Sequence, residues 1–205
     1  MMQIQLSSES SSQWLTTVLE NFDDFLLDHG ANEKKAAGVA LNLAAHYPDK
    51  PDLVAAMIDL AIEELSHYRE VFKLIRERQL SLVPDQKDAY VNQLRTLVRH
   101  GREDYFLDRL LIAGIIETRG LERFGKIATA LAPGPLKSFY QSIAHSEARH
   151  GELFLGLAYQ YCDDRDCEDQ YCEDREGGTI ASRLQILLEQ EAEILASLAL
   201  RPALH

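Results

Sequence analysis

The sequence predicts an all-α protein: four long core helices in two hairpins, with a further helix at each end of the chain. Three observations point there. Apolar residues recur at helical intervals along almost every segment between the Pro and Gly breaks. No stretch shows the strict alternation of a half-buried strand. Two Glu-x-x-His pairs, Glu64 with His67 and Glu147 with His150, stand 83 residues apart, and each has a lone glutamate about thirty residues upstream, Glu33 and Glu117.

A first helix is expected over 12–28, where Trp14, Leu15, Val18, Leu19, Phe22, Phe25 and Leu26 make an apolar face, with Gly30 as its breaker. The second covers 32–47 and stops before Pro48, its inward stripe being Glu33, Ala37, Ala40 and Ala44. The third, over 51–79, opens on Pro51, where a missing N–H does no harm. Its seam is Leu53, Met57, Leu60, Glu64, His67, Val71 and Leu74.

Residues 80–102 form a crossover, with a helix over about 86–99, long enough to travel the length of a bundle. The fourth helix, over 103–131, has the seam Phe106, Leu110, Ala113, Glu117, Leu121, Phe124 and Ala128. Pro133, Gly134 and Pro135 make the next turn, and a fifth helix over 136–161 aligns Phe139, Ile143, Glu147, His150, Phe154, Leu157 and Tyr161. Gly177 and Gly178 lead into the last helix, over 180–200.

At 205 residues the chain suits one domain, 1–205. No apolar run approaches the ~20 residues of a membrane span, and the polar, serine-rich start lacks the order of a secretory signal. The expectation is a soluble, cytoplasmic protein. Of the net charge of −12, −6 sits in residues 162–176 and −4 on Glu33, Glu64, Glu117 and Glu147, leaving only −2 on the rest. A basic surface for an anionic partner is therefore not excluded. Cys162, Cys167 and Cys172 all fall in that acidic segment at intervals of five. This fits neither a disulfide framework nor a usual zinc site, and reads as reduced thiols in a loop, with opportunistic metal or redox chemistry as the alternative.

With 18 Glu and 7 His in the chain, about 0.6 Glu-x-x-His pairs would arise by chance, so one pair alone means little. The duplication carries more weight. Residues three apart on a helix share a face, so each Glu and its His can converge on one ion. Acid and imidazole also replace hydrophobes at seam positions, where unpartnered charge is costly and a metal is one of few remedies. One Glu from each of two helices plus a Glu-x-x-His from each of the other two is the inventory of ferritin-like di-metal carboxylate proteins. Oxygen and imidazole ligands without thiolate suit iron or manganese.

The expected ligands are Glu33, Glu64 and His67 mainly for one ion and Glu117, Glu147 and His150 mainly for the other. By likeness to ferritin-like sites, Glu64 and Glu147 are the bridges. Glu63 lies about 100° off the seam, and Glu122, His145, His29, His46, His100 and His205 lack ligand spacing. Asp59 and Ser146 are candidates to hold the imidazoles.

Over nearly its whole length the chain resembles the bacterial MiaE family of tRNA hydroxylases. The residues carrying the likeness are 32–37 (NEKKAA), 63–68 (EELSHY), 116–119 (IETR), 122–124 (ERF) and 146–151 (SEARHG). The six ligand positions match individually. The resemblance implies a non-haem di-iron monooxygenase that hydroxylates the isopentenyl side chain of 2-methylthio-N6-isopentenyladenosine beside the anticodon of tRNA. It implies two iron ions, O2 as co-substrate and two electrons from a separate reductase. The chain shows no flavin or nicotinamide fingerprint and no iron–sulfur cysteine pattern.

A tRNA substrate calls for basic surface, and three helical stripes offer it: Arg69, Lys73 and Arg76; Arg95, Arg99 and Arg102; Arg119, Arg123 and Lys126. Each is equally an ordinary solvated face. Ala37, Ala40 and Gly114 could open a pocket for the isopentenyl group or serve tight helix packing. The alternatives in other classes are a ferritin-like storage or ferroxidase shell and a rubrerythrin-like peroxidase. The hydroxylase reading expects a monomer or small oligomer, with no membrane partner.

Overall fold

A computed structural model describes residues 3–162 and 179–205. Among the described residues there are seven helices and no strand. α1 (Ser12–Glu20) starts where Ser11 is extended and its Oγ accepts the Trp14 N–H at 3.1 Å. It stops at Asn21, which leaves helical geometry (φ −127°, ψ 47°) and whose side-chain amide donates to the Thr17 carbonyl at 2.9 Å.

α2 (Phe22–His46) then runs straight through Gly30, correcting the expected break. A glycine inside a helix costs about 1 kcal/mol relative to alanine, but here it faces α3. A Cβ at Gly30 would lie 3.3 Å from Val71 Cγ1 and 3.4 Å from Ile75 Cδ1, so the missing side chain lets the two helices close up.

α3 (Pro51–Glu77) begins at the expected proline, and Gln79 just beyond it takes φ +58°. The crossover carries a shorter helix than expected, α4 (Ala89–Thr96), because Asp88 caps it: Asp88 Oδ1 accepts the Val91 N–H at 2.9 Å. α5 (Arg102–Ala130), α6 (Pro135–Cys162) and α7 (Ile180–Ser197) follow, the last capped by Thr179. Cys162 is half-buried at the end of α6, while Cys167, Cys172 and most of the acidic segment lie outside the described residues.

The chain packs as two compact units. In one, residues 11–87 and 200–204, α2 and α3 form an antiparallel hairpin in which Phe25, Leu26, Ala37, Ala40 and Leu43 share a core with Leu53, Met57, Leu60, Val71 and Ile75. The segment 200–204 is tied down by hydrogen bonds from Trp14 Nε1 to the Ala203 carbonyl (3.0 Å), from the Leu204 N–H to Asp28 (2.7 Å) and from Arg201 Nη2 to Gln86 Oε1 (2.7 Å). A cavity of about 380 Å³ lies beside it, lined by residues that include Leu27, Lys34, Tyr68, Leu82 and Arg201.

In the other unit, residues 3–10, 88–162, 179–199 and His205, the central helix is α5. It pairs with α6 and also touches α4 and α7, so it is buried almost all round. Phe124 and Tyr140 stack obliquely at 5.8 Å and Phe106 meets Tyr161 edge-on at 6.2 Å. Charged groups on α5 are therefore trapped indoors and have to be matched there. Asp108, fully buried, accepts from Arg99 Nη2 at 2.8 Å and from Arg183 Nη2 at 2.7 Å.

Candidate metal sites

In the first unit Glu33 on α2 faces Glu64 and His67 on α3. Three residues of separation put Glu64 and His67 on one face, and the small Ala37 and Ala40 next on Glu33's own stripe keep the helices close. His67 Nδ1 is 3.5 Å from Glu33 Oε2 and 3.5 Å from Glu64 Oε2. The donor atoms of all three residues lie within 4.8 Å of one another. Glu33 and Glu64 are only 3% and 1% exposed.

The second unit repeats the pattern. His150 Nδ1 on α6 is 3.6 Å from Glu117 Oε2 on α5 and 3.9 Å from Glu147 Oε2 on its own helix. Room for the Glu147 carboxylate is made by Gly120, where a Cβ would lie 3.4 Å from Glu147 Oε2. Gly114 and Gly151 let α5 and α6 approach: a Cβ on Gly114 would lie 3.4 Å from Phe154 Cβ, and one on Gly151 3.0 Å from Thr118 Oγ1, while Ile4 Cδ1 of the N-terminal segment would come 2.8 Å from the Gly114 Cβ. Gly114 thus serves packing.

Each triad suits a hard or borderline divalent ion. Two donors about 2.0–2.2 Å from one ion are about 3–3.5 Å apart at octahedral to tetrahedral angles, close to the four separations just given. Both imidazoles present Nδ1 to their carboxylates. Burial works against ionising Glu33, yet hydrogen bonds from His29 and His67 outweigh it and hold its carboxyl far below the usual range. Burial likewise opposes the His67 imidazolium, but hydrogen bonds and charge from Glu33 and Glu64 push its pKa up to about 9.

Sequence reasoning missed two supporting groups. His29, set aside for lack of ligand spacing, is fully buried and its Nε2 donates to Glu33 Oε1 at 2.6 Å. Its signal was the i, i+4 offset from Glu33. Glu63, placed off the seam, has Oε1 3.8 Å from His67 Nε2, the nitrogen turned away from the triad. Of the residues named for that role, Asp59 is exposed on α3, and Ser146 Oγ instead accepts from Arg149 at 3.2 Å.

The basic stripes differ in exposure: Arg95 and Arg102 are exposed on either side of a paired Arg99, whereas the stripe on α5 is largely drawn inside. Arg99 is spent on Asp108 and Asp104. Arg119 and Arg123 are 0% and 4% exposed. Arg119 makes a two-pronged pair with Glu191 at 2.9 and 3.0 Å, a bond to Glu122 and another to the Ser8 carbonyl. Tyr90 donates to the same Glu191 at 2.8 Å, and Arg123 donates to Ser10 Oγ. Glu122 is half-buried in this network, between Arg119, Ser10 and Lys126.

Residues 2–205 match the family model described as MiaE, tRNA-(MS[2]IO[6]A)-hydroxylase. The chain is similar to the tRNA 2-(methylsulfanyl)-N(6)-isopentenyladenosine(37) hydroxylase of Pseudomonas putida, with 36% identity over 161 residues, 78% of each chain. It is similar to the protein of that name from Salmonella typhimurium, with 30% identity over 71% of this chain and 48% of that one. Among solved structures it resembles a Synechococcus protein with aldehyde deformylating oxygenase activity, at a TM-score of 0.81 and 32% identity, covering 98% of this chain and 94% of that one. The fold is accordingly all-α and ferritin-like, with α1 and α7 added to the two long hairpins. No helix among the described residues is long and apolar enough to cross a membrane.

Proposed function

This chain belongs to the MiaE family of tRNA hydroxylases, and on that premise we propose that it hydroxylates the isopentenyl side chain of 2-methylthio-N6-isopentenyladenosine next to the anticodon in tRNA. The observation that carries the reading is the pair of Glu/Glu/His triads, four of whose six residues are buried and two half-buried, in a chain whose relatives bear that name.

Glu33, Glu64 and His67 would hold one iron and Glu117, Glu147 and His150 the other. Iron bound there supplies O2 activation: one oxygen atom enters a C–H bond as hydroxyl and the other leaves as water, with two electrons and two protons from an external reductase. The protein's own part is positional. His29 holds the Glu33 carboxylate ionised and aimed, Glu63 places an acid 3.8 Å from the far nitrogen of the His67 ring, and Gly120 leaves space for Glu147. Burial of the carboxylates keeps bulk water from the reacting atoms. A tRNA substrate places the reaction in the cytoplasm.

The test is anaerobic loading with Fe(II), reduction, and addition of isotopically labelled O2 with isopentenylated tRNA. One labelled oxygen atom per modified base is expected. Turnover of electrons without label in the base would overturn the proposal.

A further inference from the structure

On α3, Arg69, Phe72, Lys73 and Arg76 follow the i, i+3, i+4, i+7 spacing of one helix face, just after the turn that carries Glu64 and His67. Arg119 and Arg123 are drawn inside and Arg99 is paired, whereas every cation of this stripe stays outside. Arg69 and Lys73 side chains are 69% and 58% exposed, Phe72 is 36% exposed and Arg76 is exposed. Glu70 takes Lys73 at 2.8 Å and Arg69 at 3.6 Å, and the exposed Glu77 lies one turn beyond Lys73, so three cations meet two flanking acids and the face keeps a net positive charge.

An apolar ring framed by cations at the surface has little to do in a free protein. It matches a single-stranded RNA loop, whose phosphates seek Arg and Lys and whose unpaired bases stack on aromatic faces. Two further features extend the match. Phe72 lies 6.4 Å, ring to ring, from Tyr68, which directly follows His67, so an aromatic step leads from the surface to the metal turn. The exposed Ile62 and Leu65 continue the same seam past that turn.

We propose that this face of α3 docks the anticodon loop of the RNA substrate, with Arg69, Lys73 and Arg76 neutralising phosphates and Phe72 stacking on an unpaired base. The inference rests on the hydroxylase reading and adds to it the surface by which the substrate is held.

The experiment is fluorescence anisotropy of a labelled anticodon stem-loop carrying isopentenyladenosine, titrated with iron-loaded protein at several salt concentrations. For Arg69→Glu with Arg76→Glu, Kd should rise about tenfold or more. Its log–log salt slope should fall by about 1.4, the share of two single-strand phosphate contacts. For Phe72→Ala, Kd should rise about fivefold or more with the slope unchanged. This single truncation of a half-exposed ring keeps the test alive if the double variant does not fold. Arg95→Glu with Arg102→Glu, which reverses as much charge elsewhere, should bind like the parent.

Parent-like RNA binding by both face variants overturns the proposal, as does equal weakening in the control. It also falls if the face variants bind RNA normally and instead change the sedimentation mass, or lose turnover only with a protein reductase. Those results would assign the face to a second copy or to an acidic redox partner. Parent protein that binds the stem-loop without hydroxylating it would count against the proposed reaction and leave the docking face standing.

Discussion

The His29 imidazole sits one helical turn before Glu33 on α2, with Nε2 2.6 Å from Glu33 Oε1 and neither side chain more than 3% exposed. A buried carboxylate is thus oriented by a neutral-or-charged donor on its own helix, leaving Oε2 to face His67 at 3.5 Å. His29→Ala should weaken metal binding about 10- to 100-fold, the usual loss when a ligand's partner is removed. His29→Gln, which restores an N–H donor, should recover part of it. A chelator competition titration, with helix content checked by circular dichroism, measures both; unchanged affinity in His29→Ala would refute the supporting role.

The two triads predict separable metal losses. Glu117→Ala removes a carboxylate 3.6 Å from His150 Nδ1, and Glu33→Ala removes one 3.5 Å from His67 Nδ1. On the proposed reading, in which the oxidation draws on both ions, each variant should bind about half the iron of the parent and lose hydroxylation. Iron analysis of the gel-filtered protein beside a turnover assay decides it. Full iron with full turnover in either variant would remove that residue from the ligand set.

Asp108 supplies a pH prediction. Burial opposes its ionisation, but hydrogen bonds from Arg183 and Arg99 hold its carboxyl below the ordinary value of 3.8. A group with a depressed folded pKa contributes stability that is present above its unfolded pKa and lost as pH falls through the folded value. Melting temperature should therefore drop steeply below about pH 4. Asp108→Asn should flatten that acid limb and, by leaving Arg183 uncompensated, cost about 3–5 kcal/mol at neutral pH. Scanning calorimetry over a pH series tests both parts.

Gly30 and Gly38 lie two turns apart on α2 and should respond oppositely. A Cβ on Gly30 already meets Val71 and Ile75 at 3.3–3.4 Å, whereas one on Gly38 meets nothing within 4 Å. Gly30→Leu should destabilise by about 1–3 kcal/mol or more through overpacking. Gly38→Ala should stabilise by up to about 1 kcal/mol through helix propensity. Urea unfolding resolves the pair, and equal signs would contradict the packing role given to Gly30.

Much of the site was legible because it violates a local rule. Glutamate and histidine at positions 64, 67, 147 and 150 interrupt hydrophobic seams, and three-residue spacing fixes them to one helix face whatever the tertiary packing. Helix ends read well where a capping group or proline decides locally, as at Pro51 and Pro135. Gly30 misled because a helix-breaking preference worth about 1 kcal/mol is outweighed by close packing against a neighbour far away in sequence. Arg119 and Arg123 misled for a related reason. Basic residues at helical spacing are usually solvated, and nothing near them in the chain announces that α5 is covered by α4, α6 and α7 and that Glu191 waits 72 residues on.

The sequence by itself determined an all-helical chain and the six carboxylate and imidazole positions, because helical periodicity is a local property written in side-chain order. Tertiary structure alone decided which of the remaining charged groups serve those positions and which face outward. His29 and Glu63 join the first triad, Arg119 and Arg123 are locked inside, and Arg69, Phe72 and Arg76 stay exposed. The physical reason is that burial belongs to pairs of elements, so the fate of a charge depends on what packs against its helix.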